Sequence, residues 1–153
     1  NFKKNHGIED KIMVLGVASP WNEQKGLSLF LNLAQLLDDR FALVLVGLDG
    51  KQRAAIKKMA VTDATLIPLP VIADGIKLAK IYTAADFFWN ASIEETFGMT
   101  TLEAISCGAF AIVCTRTPGE EIISAETGIA LPADAELVAS YLTDRCMNGG
   151  KSS

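Results

Sequence analysis

Two carboxylates, Glu95 and Glu103, are separated by seven residues in the stretch NASIEETFGMTTLEAISCG that ends at Gly108. The first falls in a loop. The second lies about two turns away along a helix predicted over residues 99–107. Gly98 between them lets the backbone approach a ligand closely. The free amides of Gly98, Met99, Thr100 and Thr101 at the helix start would point at an anion. Amides for phosphate and carboxylates for hydroxyls together describe a site for a phosphorylated sugar or a nucleotide, because a carboxylate accepts from two vicinal ribose hydroxyls. The same residues also fit a structural account. Thr100-x-x-Glu103 matches a capping box, and Glu94 and Glu95 could be surface carboxylates beside a positive dipole end. Spacing alone leaves both readings open.

Lys25-Gly26 stands where another helix begins. Lysine is a mobile point charge and helix starts bind phosphate, though for this segment alone a solvated lysine at a helix start is the plainer account. Other signals are weaker. Gly47-Leu-Asp-Gly50 lacks the GxGxxG fingerprint, which disfavours a dinucleotide site. Gly149-Gly-Lys-Ser152 imitates half a P-loop without its first glycine or a following helix, and is rejected. His6 is the one histidine, and Cys107, Cys114 and Cys146 form no CxxC pair. Both facts argue against a histidine triad or a zinc site and suit buried thiols in a reducing, cytoplasmic compartment. Trp21, beside Pro20, reads as a loop anchor, and Trp89 as core.

The elements that would position these residues alternate. Strands are predicted at residues 12–18, 41–48, 64–69, 87–89, 110–114 and 128–131, each short, apolar and bounded by turn residues. Helices are predicted at 26–39, 51–60, 72–85, 99–107 and 133–146, with a short one opening at Pro118. Buried strands alternating with helices demand a parallel sheet covered on both faces, hence an α/β, doubly wound, Rossmann-like domain over residues 12–146. Residues 1–11 read as a linker or lead-in and 147–153 as a flexible tail. Ligands of such sheets bind beyond the carboxyl ends of the strands, where strand order reverses. That is where Lys25, Glu95 and Glu103 fall.

The chain has 153 residues, half of them hydrophobic, with a formal charge of −4. Its apolar content argues against disorder. Its longest apolar run is far short of the roughly 20 residues that cross a bilayer. Scattered basic residues argue against nonspecific nucleic-acid binding. No signal peptide is visible. The chain opens on Asn1 rather than Met, as a piece of a longer protein would.

With those residues in view, the Glu95-x7-Glu103 stretch resembles the E-x7-E segment of retaining glycosyltransferases of the GT-B fold, family four or group one. Other stretches agree in order and spacing: LGVASPWNEQKG, FALVLVGL, LAKIYTAADFFWNAS and ETGIALP. The similarity runs from about Lys11 to Ala135 and covers the C-terminal, donor-binding half of such enzymes. The resemblance implies a metal-independent hexosyltransferase using a UDP- or GDP-sugar as substrate, with no cofactor. The acceptor-binding N-terminal domain is then a missing partner, and it would carry any peripheral membrane contact. The fragment alone would not turn over. Glu103 would bind ribose hydroxyls and Glu95 the transferred sugar. Gly98, Met99, Thr100 and Thr101 would hold the sugar or diphosphate. Lys25 would offset charge on the leaving group, and backbone around Leu69 would meet the base.

Two departures stand out. The family places an Arg beside the first loop, yet residues 16–26 contain none. The family's Gly-Gly turn reads Arg116-Thr-Pro-Gly-Glu120 here, and Pro118 lacks an N–H. A noncatalytic nucleotide- or sugar-binding regulatory domain, or a phosphorylase or epimerase on a related scaffold, are the alternative readings.

Overall fold

The computed structural model describes residues 1–59, 62–92 and 99–147. Six strands form one sheet: β1 (Ile12–Val17), β2 (Phe41–Val46), β3 (Thr65–Leu69), β4 (Phe87–Asn90), β5 (Phe110–Cys114) and β6 (Gly128–Leu131). Every neighbouring pair is parallel, in the order β3-β2-β1-β4-β5-β6. The helices are α1 (Phe2–Asn5), α2 (Leu27–Leu36), α3 (Gly50–Lys57), α4 (Gly75–Ala84), α5 (Met99–Ser106) and α6 (Ala135–Met147), with a 3-10 turn at Pro118–Glu121. The doubly wound, Rossmann-like architecture expected from the alternation is present.

Residue alternation along β2 shows why both faces must be covered. Phe41, Leu43 and Leu45 join a core layer with Phe30, Leu33, Trp89 and Leu142, under α2, α3 and α6. Ala42, Val44 and Val46 join the opposite layer with Leu15, Phe88, Tyr82 and Ala104, under α4 and α5. All six β2 residues are buried, so a polar residue on either face would leave an unpaired group in the core.

Helix ends differ from the sequence expectation for local reasons. The third helix begins at Gly50 rather than Lys51, because Asp49 and Gln52 cap each other reciprocally. The fourth begins at Gly75, three residues later than expected. The Asp74 carboxylate accepts from the amides of Ile76 and Lys77 and sets its start. The second helix ends at Leu36 because Leu37 is extended.

Residues 1–11, read as a lead-in, pack on the domain. Ile8 is buried. Lys3 Nζ lies 2.8 Å from the Asp86 carboxylate, which also accepts from the Met13 amide at 2.8 Å. The N-terminal helix is thereby tied to the sheet end opposite the strand carboxyl ends. Both sheet edges carry a proline: Pro68 within β3, and Pro132 immediately after β6. All three cysteines are free thiols.

Candidate functional site

The chain runs outward from β1 through β2 to β3, then returns to place β4 on the other side of β1. This reversal opens a crevice at the carboxyl ends of β1 and β4. A cleft of about 180 Å3 lies there. Residues 17–19 at the end of β1, Lys25 before α2, residues 89–92 at the end of β4, and Met99 and Thr100 at the start of α5 line it. Among the described residues, Lys25 is the one cation in that lining.

The turn that carries Lys25 is held at several points. Trp21 is buried, and its indole N–H donates to the Val46 carbonyl at 2.8 Å. Its ring meets Phe30 edge-on, with centroids 5.4 Å apart. Trp21 is therefore a loop anchor, as its proline neighbour suggested. Its own carbonyl accepts from Gln52 Nε2 at 2.8 Å. The Lys25 amide donates to the Asn22 side chain at 3.0 Å, and the Gly26 amide to the Glu23 carbonyl at 3.1 Å. Gly26 has φ +87°, and a Cβ there would lie 2.4 Å from the Ala91 Cβ and 2.7 Å from its carbonyl oxygen. Only glycine lets the start of α2 press against the chain leaving β4.

Across the cleft, Asn90 links β4 to α5. Its side-chain amide donates to Thr101 Oγ1 at 3.0 Å, and its carbonyl side-chain oxygen accepts from the Ser92 amide at 3.1 Å. Its backbone carbonyl accepts from the Cys114 thiol at 3.5 Å. Burial pushes that thiol up to about 11.

The structure brings some predicted residues together and separates others. Lys25, Met99 and Thr100 share the cleft. Thr101 is fully buried behind it, its hydroxyl spent on Asn90. Glu103 is exposed and lines a neighbouring groove of about 280 Å3 with Leu78, Tyr82 and Leu102. Met99 lines both spaces. The Tyr82 hydroxyl, buried and without a hydrogen-bond partner, has its pKa pushed up by burial and by the Glu103 charge. Leu69 lines neither space. Its carbonyl accepts from the Gly47 and Leu48 amides at 3.1 and 3.0 Å, so that oxygen is already engaged. Glu95 and Gly98 lie outside the described residues, as does the Gly149–Ser152 stretch.

Two structural alternatives are also decided. Met99 is already helical, so Thr100 lies inside α5 and does not cap it. In the Gly47–Gly50 stretch the amides of Gly47 and Leu48 are spent on the Leu69 carbonyl and that of Asp49 on Gln52, which leaves no cradle of free amides for a phosphate. Arg116 has φ +64°, the one non-glycine residue with positive φ among the described residues. It is exposed after β5, and its backbone N–H donates to the Glu120 carboxylate.

The sequence reading passed over Asn90, Ser92 and Gln52. A polar residue closing an apolar strand was the signal for Asn90. The Asp49-x-x-Gln52 spacing signalled a cap for α3, but nothing local pointed to Trp21. Among the described residues, no three His, Cys, Asp or Glu side chains gather as metal ligands.

Comparisons with known proteins agree with this architecture. A glycogen synthase from Alkaliphilus metalliredigens (strain QYMF) is 31% identical over 111 residues, 71% of this chain and 23% of that protein. The structure of HepE from Anabaena in complex with UDP-glucose superposes with a TM-score of 0.79 at 17% identity, over 99% of this chain and 43% of that one. The C-terminal domain of LpcC, a group 1 glycosyl transferase from Francisella tularensis, gives a TM-score of 0.74 at 21% identity, over 96% of this chain and 83% of that one. The chain thus spans about a quarter of the curated relatives' length, and its fold is that of one GT-B half. The family model for group 1 glycosyl transferases matches residues 9–145, taking in every strand, and the chain belongs to that family.

Proposed function

We propose that this chain is the donor-binding half of a retaining glycosyltransferase that moves a sugar from a nucleoside diphosphate to a glycan, lipid or other acceptor. The observation that carries this reading is Lys25 facing the start of α5 across the switch-point cleft. When the bond from the anomeric carbon to the diphosphate breaks, negative charge grows on phosphate. A fixed cation and oriented amides there lower the barrier with little reorganisation. A donor with its diphosphate at Lys25 and its ribose at Glu103 crosses Met99, which borders both spaces. Glu95 orients the transferred sugar, and backbone beyond the engaged Leu69 carbonyl meets the base. Lys25 and the helix amides supply the charge compensation that a metal supplies elsewhere.

The relatives are longer than this chain, so the acceptor side belongs to a second domain and the chain alone does not turn over. The working compartment is the cytoplasm, with any membrane contact carried by that second domain. Among the described residues, no helix is long and apolar enough to cross a membrane. HepE was crystallised with UDP-glucose, which makes UDP the first nucleotide to try.

A second reading, a noncatalytic nucleotide- or sugar-binding domain, has one observation in its favour: Lys25 is alone as a cation in the described lining of the cleft. Titrating the chain with UDP, GDP and ADP, then repeating with Glu103→Ala, tests donor binding. One diphosphate is expected to bind, with affinity lowered at least about tenfold by the substitution, as loss of a charge-assisted hydrogen bond implies. No binding at millimolar concentration would remove the proposal. On the intact protein, Lys25→Ala and Glu95→Ala are each expected to cut turnover about a hundredfold. Binding without turnover in the unaltered protein would establish the second reading.

A further inference from the structure

We propose that Gln52 is a positioning residue for Lys25, acting through the Trp21 carbonyl; this rests on the reading of Lys25 as the partner of the donor diphosphate. Gln52 sits at the third position of α3 and works at both ends of its amide. Oε1 accepts from the Asp49 amide at 3.0 Å, completing the capping box. Nε2 donates to the Trp21 carbonyl at 2.8 Å, across 31 residues of sequence. A capping box accepts Glu as readily as Gln at this position. The helix therefore has no need of the amide nitrogen, and among the described residues that nitrogen donates to the turn that carries Lys25.

The geometry follows through to the cleft. Trp21 opens the turn, the Asn22 side chain and carbonyl hold the Lys25 amide, and Gly26 is pinned against Ala91. The indole fixes the Trp21 side chain to Val46, while Gln52 fixes the plane of the peptide that follows it. That peptide sets the direction in which the chain leaves toward Lys25. A carboxylate in place of the amide would present oxygen to oxygen at 2.8 Å, rotate the peptide and shift the lysine. Lys25 itself is half-buried, and the hydrogen bonds of its turn are what fix its backbone among the described residues.

The variant Gln52→Glu keeps the cap, removes the donor to Trp21 and sets a charged oxygen against its carbonyl. It is compared with the unaltered chain for affinity toward a nucleoside diphosphate and the monophosphate of the same nucleoside, with and without Lys25→Ala. Affinity for the diphosphate is expected to fall about fivefold, and for the monophosphate less than about twofold. On the Lys25→Ala background the Gln52→Glu change should cost nothing further, because the two act as one unit. Equal losses for both nucleotides, or the same loss with and without Lys25, would overturn the coupling. Gln52→Met, which brings no charge, is put through the same cycle and settles the matter if Gln52→Glu does not fold. If the unaltered chain binds no diphosphate, the proposed function fails first; if it binds and the cycle shows no coupling, only the role of Gln52 fails.

Discussion

On the Lys25 side of the cleft, one turn is secured by an indole, an amide, an asparagine and a glycine pressed on Ala91. On the Glu103 side, α4 and α5 leave Ile76, Met99 and Leu102 at 71%, 61% and 47% exposure. The difference follows from what each side has to recognise. A point charge acts on phosphate with a strength set by distance and local dielectric, so its carrier must be held still. An apolar surface works by area, which tolerates small displacements and gains free energy only when something covers it. In the proposed reading, the nucleoside and the second domain provide that cover.

The sharpest way to break this contrast is Gly26→Ala. The methyl meets Ala91 at 2.4 Å in a backbone conformation of φ +87°. Left-handed strain and overpacking together should cost about 3 kcal/mol in denaturant unfolding. An unchanged midpoint would mean that the turn is not pinned.

A pH series gives a second, smaller test. Burial holds the Cys114 thiol at about 11, against roughly 8.5 for an exposed thiol. The unfolded chain thus loses this proton first. The contribution is complete below about pH 8.5 and is lost as pH rises toward the folded value. Cys114→Ala should flatten that alkaline fall, read by unfolding at pH steps. An identical slope in both proteins would show that the thiol beside Asn90 is not sheltered.

The smallest effect belongs to the other side. Leu102→Ser should change unfolding free energy by less than about 0.5 kcal/mol. A loss of several times that would show that the groove is packed structure and not a free face.

The sheet was legible because β2 is apolar at every position, which no exposed or one-sided strand would be. Its parallel order, and therefore the crevice, followed from alternation with helices. The placement of Lys25 followed in turn, since a lysine just after β1 has to sit near the switch point. What the sequence hid was mostly long-range. Nothing near Trp21 announces that its carbonyl is held by a glutamine in another helix. Nothing near Leu69 shows that its carbonyl is engaged by Gly47 and Leu48. The start of α4 was misplaced for a local reason: Ile72 continues the apolar period, but the Asp74 carboxylate decides where the helix opens. The Thr100-x-x-Glu103 reading failed because Met99 is already inside α5. Glu103 is left facing solvent beside an apolar groove.

The prolines at the two margins have a bearing on how copies of this molecule behave in a concentrated solution. A strand added at an outer margin needs an unbroken row of main-chain donors and acceptors, and Pro68 removes one donor from the first margin. At the other margin, β6 offers four residues before Pro132 interrupts it. Ribbon-like growth from molecule to molecule is thus discouraged at both ends, and self-association is left to the helical surfaces and the exposed side chains near Met99.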